Sequence, residues 1–324
     1  MVEEVLTELF RIEIPLPENP LKSLNSYVIR GEGSYLIIDT GLNREECLVA
    51  MKAGLNELGI DLEKTYFFIT HMHADHLALV SRLATDTNRV YFNRPDAEIL
   101  ENRRRWASVT SYAGMNGFPE DKLRAVLNNH PGLKYGLGSM PKLTFLKEGD
   151  RLSIGNYFFK CIETPGHSKG HICLYEPEKK IFVAGDHILN DITPNIQCWT
   201  NNDNLLENYL ASLDKVYDLQ VDLVLPGHRD VFRDFRGRIK ELKIHHKSRL
   251  DEILLILSNG PRNAFQIASE MTWDINYDSW DLFPVMQKWF ATGEAIAHLR
   301  YLEEEGRVYR KMRSNIITFS LDCH

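Results

Sequence analysis

Seven consecutive residues constrain this chain more than any other stretch: Thr70-His71-Met72-His73-Ala74-Asp75-His76. They set three imidazoles and a carboxylate directly after the apolar run Thr65-Tyr66-Phe67-Phe68-Ile69, which reads as a buried strand. Residues 77–83 read as the start of a helix. The cluster therefore falls on a turn at the carboxyl end of a strand, where α/β proteins place their ligands. In an extended segment His71 and His73 share a side, and Asp75 and His76 open the next turn. Such groups aimed into one small space compete or repel unless a cation lies among them. Imidazole nitrogen and carboxylate oxygen suit zinc, iron or manganese.

The same arrangement recurs down the chain. The strand-like run Tyr157 to Thr164 leads into Pro165-Gly166-His167, Ile181 to Ala184 into Gly185-Asp186-His187, and Val221 to Leu225 into Pro226-Gly227-His228. Strand ends of this kind would bring His71, His73, Asp75, His76, His167, Asp186 and His228 to one edge of a pair of sheets. That donor count suits two divalent ions sharing a carboxylate better than one ion. His171 and His187 lie close by and read as supporting residues rather than ligands.

Around these strands the pattern predicts one strand over 5–14 and a hairpin of Asn25–Ile29 and Ser34–Ile38 about Gly31-Glu32-Gly33. It also predicts a helix over 44–58, a strand at Val90-Tyr91-Phe92 and a helix over 203–218. Residues 94–140 differ: a helix from Asp96 to Trp106 carries Arg103-Arg104-Arg105, and a second helix spans about 119–129. This segment reads as an inserted helical cap, with Tyr112, Phe118, Tyr135 and the Arg103–Arg105 run, together with Trp199, as candidate pocket residues. The last quarter predicts a helix over 239–258 with His245 and His246 on its surface, and a short helix after Asn263. Two more helices are expected near 281–291 and 294–304, before a small hairpin.

The motifs resemble those of the metallo-β-lactamase superfamily in its binuclear hydrolase branch, whose pattern is His-x-His-x-Asp-His followed by a distant His, a distant Asp and a final His. The resemblance covers about residues 5–235. It implies an α+β, four-layer αββα sandwich carrying a helical cap insertion and a small, helical, winged-helix-like C-terminal domain. The domains would be 1–236, with the cap at about 94–140, and 237–324. The resemblance further implies that His71, His73 and His167 hold one metal and that Asp75, His76 and His228 hold a second. Asp186 would bridge both, and Asp39 would support a ligand imidazole from behind. Zinc is the first expectation for both ions, with iron or manganese as alternatives. The segment Thr164-Pro165-Gly166-His167-Ser168-Lys169-Gly170-His171 resembles that of acyl-homoserine lactonases and glyoxalase II-type thioesterases alike.

The function this implies is hydrolysis of an ester, thioester or lactone of a small molecule by a hydroxide shared between two metals, with Asp75 or a metal-bound water handling the leaving group's proton. Two alternatives are a nuclease or phosphodiesterase of the same fold, and a metabolite-binding regulatory protein with weak turnover. Charge speaks against nucleic acid as the partner. The net charge is −7, and residues 239–324 hold 11 Lys and Arg against 12 Asp and Glu. No Gly-x-Ser-x-Gly elbow points to a serine nucleophile. Five scattered cysteines without a Cys-x-x-Cys pair fit a reducing, cytoplasmic setting. No run is long and apolar enough for a membrane span or signal peptide. For the tail the expectation is packing, formation of a homodimer or a wall of the substrate cleft.

Overall fold

The structure is a computed structural model that describes residues 1–102, 104–274 and 277–322. Its chain clusters into two compact units. One contains residues 1–101, 131–194 and 214–238; the other contains 102–130, 195–213 and 239–324.

The first unit is built on two sheets. Strands β1 (Val2–Leu6), β2 (Leu9–Pro15), β3 (Ser23–Arg30), β4 (Tyr35–Ile38), β5 (Thr65–Phe68), β6 (Val90–Phe92) and β7 (Leu143–Phe145) lie side by side in chain order. Pairing is antiparallel from β1 to β4 and parallel from β4 to β7. The second sheet runs in the order β12 (Leu223–Pro226), β11 (Ile181–Gly185), β10 (Ile172–Glu176), β9 (Tyr157–Glu163), β8 (Arg151–Ile154). One face of the first sheet, with Tyr27, Ile29, Leu36, Ile38 and Phe68, interdigitates with Phe159, Cys161, Ile172, Leu174, Val183 and Leu225 of the second. This dry layer between sheets follows from the strict alternation of their side chains.

Helices α1 (Glu45–Glu57), α2 (Ala74–Leu77) and α3 (Val80–Leu83) cover the other face of the first sheet. In α1, Cys47, Leu48, Met51, Gly54 and Leu55 form the buried stripe. Glu45 and Glu46 stand in its first turn, where the helix dipole favours negative charge. At Gly54 an added Cβ would meet Ile12 at 2.8 Å, so the glycine sets how closely α1 lies on β2.

The segment expected to be one strand over 5–14 is two strands, β1 and β2, because Glu8 takes a left-handed conformation (φ 63°) and turns the chain. The helix expected from Asp96 to Trp106 is likewise two, α4 (Arg94–Glu101) and α5 (Arg105–Met115). Arg104 is exposed and Arg105 half-buried at that break; Arg103 lies outside the described residues. Helices α6 (Glu120–Asn129) and α7 (Pro131–Lys134) follow.

The second unit contains α5, α6 and most of the C-terminal third. Helix α8 (Leu205–Tyr217) begins in it, and α9 (Phe235–Leu257) runs into it. Helix α10 (Ala264–Glu270) starts at a capping box in which Asn263 and Gln266 exchange hydrogen bonds. Helix α11 (Val285–Glu304) precedes the hairpin β13 (Val308–Arg313) and β14 (Ile316–Leu321). The two helices expected over 281–304 are one continuous α11. Gly293 does not break it but makes room: a Cβ there would strike the Trp199 indole at 2.8 Å. Trp199 in turn stacks on Trp289 at 3.9 Å. Phe118 packs edge-on against the same Trp289 at 5.3 Å. Of the aromatic residues expected at a pocket, Trp199 and Phe118 thus pack on Trp289, and Tyr135 lies under the Arg44 guanidinium at 4.7 Å. Among the described residues, no helix is long and apolar enough to cross a membrane.

Candidate metal centre

Strands β4, β5, β9, β11 and β12 all point their carboxyl ends to one edge of the sandwich. The residues that follow those ends are Asp39, His71 to His76, His167, Asp186 and His228. The structure brings all the sequence-predicted site residues together within the first unit. Three sets of side-chain atoms lie within 4.8 Å of one another: His71, His73 and His167; His71, His76 and Asp186; and Asp75, His76 and His228.

Asp186 is central. Its Oδ2 lies 3.4 Å from His76 Nε2 and 3.5 Å from both His167 Nε2 and His228 Nε2, and His228 Nε2 lies 3.4 Å from Asp75 Oδ2. The crowding is enforced by Gly227, where a Cβ would come within 2.5 Å of Asp186 Oδ1 and 2.7 Å of His76 Cε1.

Whether this cluster suits a metal can be judged from its hydrogen bonds. His76 Nδ1 faces Asp39 Oδ2 at 2.7 Å, and His228 Nδ1 faces the Ser23 carbonyl at 2.7 Å. Both partners only accept, so both Nδ1 atoms carry the hydrogen. His71 Nδ1 lies 3.0 Å from Thr70 Oγ1, whose own proton goes to Asp39 Oδ2 at 2.8 Å. That hydroxyl is left to accept, and His71 too is protonated at Nδ1. In the neutral rings every Nε2 then presents a lone pair. Those Nε2 atoms of His71, His76 and His228, with Asp186 Oδ1, are buried and have no hydrogen-bond partner among the described residues. Buried polar atoms are nearly always satisfied; orphaned lone pairs converging on a carboxylate fit a cation.

The electrostatics agree. Burial would raise the Asp186 carboxyl, but His228 and His76 hold it well below its ordinary range. Asp75 is lowered against burial by His76 and His228. Burial would lower His228, but Asp186 and Asp75 push it up to about 10. His76 is likewise raised against burial by Asp186, Asp39 and Asp75. The carboxylates call for positive charge, which a divalent cation supplies with the imidazoles neutral. His71 is held neutral by burial and by His76, His73 and His167 around it.

His171 is a supporting residue. Its Nε2 accepts the Asp186 N–H at 3.2 Å, and its Nδ1 meets Thr164 Oγ1 at 2.8 Å. His187 is buried. His246, expected on a helix surface, is 1% exposed in the second unit. It occupies the buried stripe of α9 with Leu242, Arg249 and Ile253, and its Nδ1 meets His298 Nε2 at 3.1 Å. The sequence reading missed Asn25, whose amide donates to the Pro226 and Arg229 carbonyls on either side of His228. It also missed Asp96. The available signal was Asn93-Arg94-Pro95-Asp96 just after a buried strand, a position akin to that of Asp39.

The chain belongs to the metallo-beta-lactamase superfamily, whose family model matches residues 20–228. A second model, the metallo-beta-lactamase-like C-terminal domain, matches residues 250–321. A metallo-beta-lactamase family protein from Thermus thermophilus superposes with a TM-score of 0.83 at 27% identity, over 98% of this chain and 100% of that one. A probable metallo-hydrolase of Bacillus subtilis, YqjP, is 22% identical over 96% of this chain and 97% of its own length. The bovine acyl-coenzyme A thioesterase MBLAC2 is 23% identical over 64% of this chain and 74% of its own. The α+β fold and a His/Asp cluster suited to metal binding are thus those of a metallo-hydrolase.

Proposed function

We propose that this chain is a two-metal hydrolase acting on an ester, thioester or lactone of a small molecule. The observation that carries the reading is the convergence of orphaned imidazole Nε2 atoms on the Asp186 carboxylate. His71, His73 and His167 would hold one ion, Asp75, His76 and His228 the other, and Asp186 both. Zinc is the ion we favour, because the nitrogen-rich donor set suits it. When bound, such ions would supply an acidified water as nucleophile and positive charge for the oxygen of the bond being cleaved.

The protein's own groups do the rest. Asp39 fixes the His76 ring, and through Thr70 the His71 ring, in the tautomer that leaves Nε2 free. Asp75 is the carboxylate of the cluster with most access to solvent, 15% exposed against 8% for Asp186. On that access, rather than on its proton affinity, we assign Asp75 or a water beside it the handling of the leaving group's proton. A thioester is the first substrate class to try, given the named activity of the bovine relative.

For the remainder of the chain we propose a catalytic domain over 1–236, with 94–140 as a cap that selects substrate. We propose 237–324 as a winged-helix-like domain. Support for the latter is the succession of α9, α10, α11 and a β-hairpin, with an isolated bridge from Arg262 to Phe319 supplying the short third strand.

The reading is tested by metal analysis of the purified protein together with hydrolysis of a short acyl-coenzyme A and of single-stranded RNA. About two equivalents of metal, thioester turnover abolished by a chelator and lost at least about 100-fold in Asp186→Asn, and no RNA cleavage are expected. Full turnover by metal-free protein would refute it.

A further inference from the structure

We propose that Asp96 is a positioning residue of the metal centre, one carboxylate that ties the loop of His71 and His73 to the loop of His167. The inference rests on the two-metal reading and deepens it. Asp96 stands in the first turn of α4 and is fully buried. Its Oδ2 accepts the Met72 N–H at 2.9 Å and the Ser168 hydroxyl at 2.7 Å, and its Oδ1 accepts the Gly170 N–H at 2.8 Å. Met72 lies between two of the candidate ligands, and Ser168 directly follows the third. Segments far apart in sequence, at the ends of strands in different sheets, thus share one acceptor.

The surroundings are built around this contact. Asn93 Oδ1 accepts the Asp96 N–H at 2.8 Å and fixes the turn from which the carboxylate reaches out. At Gly170 a Cβ would fall 1.6 Å from that same Asn93 Oδ1 and 2.9 Å from Asp96 N, so the loop lies on the clamp only because the residue is glycine. A buried carboxylate is costly unless charge-assisted hydrogen bonds offset its desolvation. Three donors from two ligand loops offset part of that cost.

Asp39 and Asp96 divide the site. Asp39 holds His76 directly and His71 through Thr70. Asp96 sets the spacing between the His71–His73 segment and His167, the group His71, His73 and His167 proposed for the first ion. Loss of Asp96 should therefore weaken one ion's affinity and spare the other's.

The experiment is a titration of chelator-treated wild type, Asp96→Asn and Asp96→Ala with zinc(II), by calorimetry and competition with a chromogenic chelator, with circular dichroism and melting of the zinc-free proteins alongside. Wild type should bind two zinc ions. In Asp96→Asn one of the two dissociation constants should rise about 10- to 100-fold while the other changes less than about threefold. If Asp96→Ala does not fold, Asp96→Asn, which keeps the size and one acceptor oxygen, decides. Two unchanged constants in a folded Asp96→Asn overturn the positioning role and leave the two-metal reading standing. An equal loss at both sites accompanied by a collapse of the zinc-free melting temperature also overturns it, in favour of a purely structural role. Wild type that takes up no zinc overturns both.

Discussion

Replacing Asp39 separates its chemistry from its packing. The carboxylate is 2% exposed and accepts three hydrogen bonds: Thr70 N–H at 2.8 Å on Oδ1, and Thr70 Oγ1 at 2.8 Å and His76 Nδ1 at 2.7 Å on Oδ2. Asp39→Ala strips the acceptor from all three buried donors. It also puts a side chain with no polar group into a left-handed conformation (φ 57°), which Asp and Asn tolerate better. Removing one partner from such a buried, charge-assisted network costs about 3–5 kcal/mol, a large share of a typical domain's stability. Asp39→Asn keeps the shape, the tolerance of φ and one acceptor for Thr70 N–H. Its NH2, however, meets two donors, so His76 is freed to carry its hydrogen on Nε2, where it cannot bind a metal. We expect Asp39→Asn to stay folded and to lose zinc affinity about 10- to 100-fold, or about 1.4–2.7 kcal/mol. Chelator competition on the zinc-free protein measures the affinity, and thermal melting of the same sample measures the stability. A folded Asp39→Asn with a dissociation constant within about twofold of wild type would refute the tautomer argument.

Gly227→Ala places a methyl 2.5 Å from Asp186 Oδ1 and 2.7 Å from His76 Cε1. Overpacking of this kind costs about 1–3 kcal/mol, and here it should displace ligands, so bound metal falls while the far-ultraviolet spectrum persists; unchanged metal content would count against the cluster's geometry. Asn263→Ala removes the capping box of α10 and should lower stability by about 1 kcal/mol without touching metal binding, read by denaturant melts. In the second unit, burial, only partly opposed by Arg249 at 3.7 Å, pushes the Glu294 carboxyl from 4.5 up to about 7. Its folded pKa lies above its unfolded one, so its cost to stability is absent below about pH 4.5, grows as pH rises, and is complete above about pH 7. Burial pushes His298 down to about 3 and also lowers His246, so both oppose folding on the acid side. The informative quantity is therefore the difference between Glu294→Gln and wild type at each pH. The variant should gain on wild type by up to about 3 kcal/mol between pH 5 and pH 8, and a difference that does not change with pH would refute the shift.

The candidate ligands were legible because each follows a short apolar strand through a turn marked by Gly, Pro or Thr, and strand ends of one polarity gather at one edge. His167, Asp186 and His228 could be placed beside His71 from that rule, although they lie far apart in the chain. What the rule does not encode is how each ring is held. Asp39 stood out through family resemblance, but the hydrogen-bond chain from Asp39 through Thr70 to His71 depends on the register of β4 against β5, where Ile38 pairs with Phe68. Asp96 was passed over because it sits in a helix turn, where an acidic residue is explained well enough by the dipole; its partners come from two loops that no local pattern connects to it. His246 was misplaced for a related reason. A histidine pair on a charged helix reads as surface until another histidine, His298 of α11, arrives to share its hydrogen bond. Gly293 shows the converse, since it stands inside α11, between the two helices expected there, and leaves room for the Trp199 indole. In each case the local sequence states what a residue can do, and a partner contributed by a different element decides what it does. The candidate metal-binding groups are therefore readable from motifs, whereas the hydrogen bonds that orient and space them come from the buried carboxylates behind them, which is where the variants of Asp39 and Asp96 are aimed.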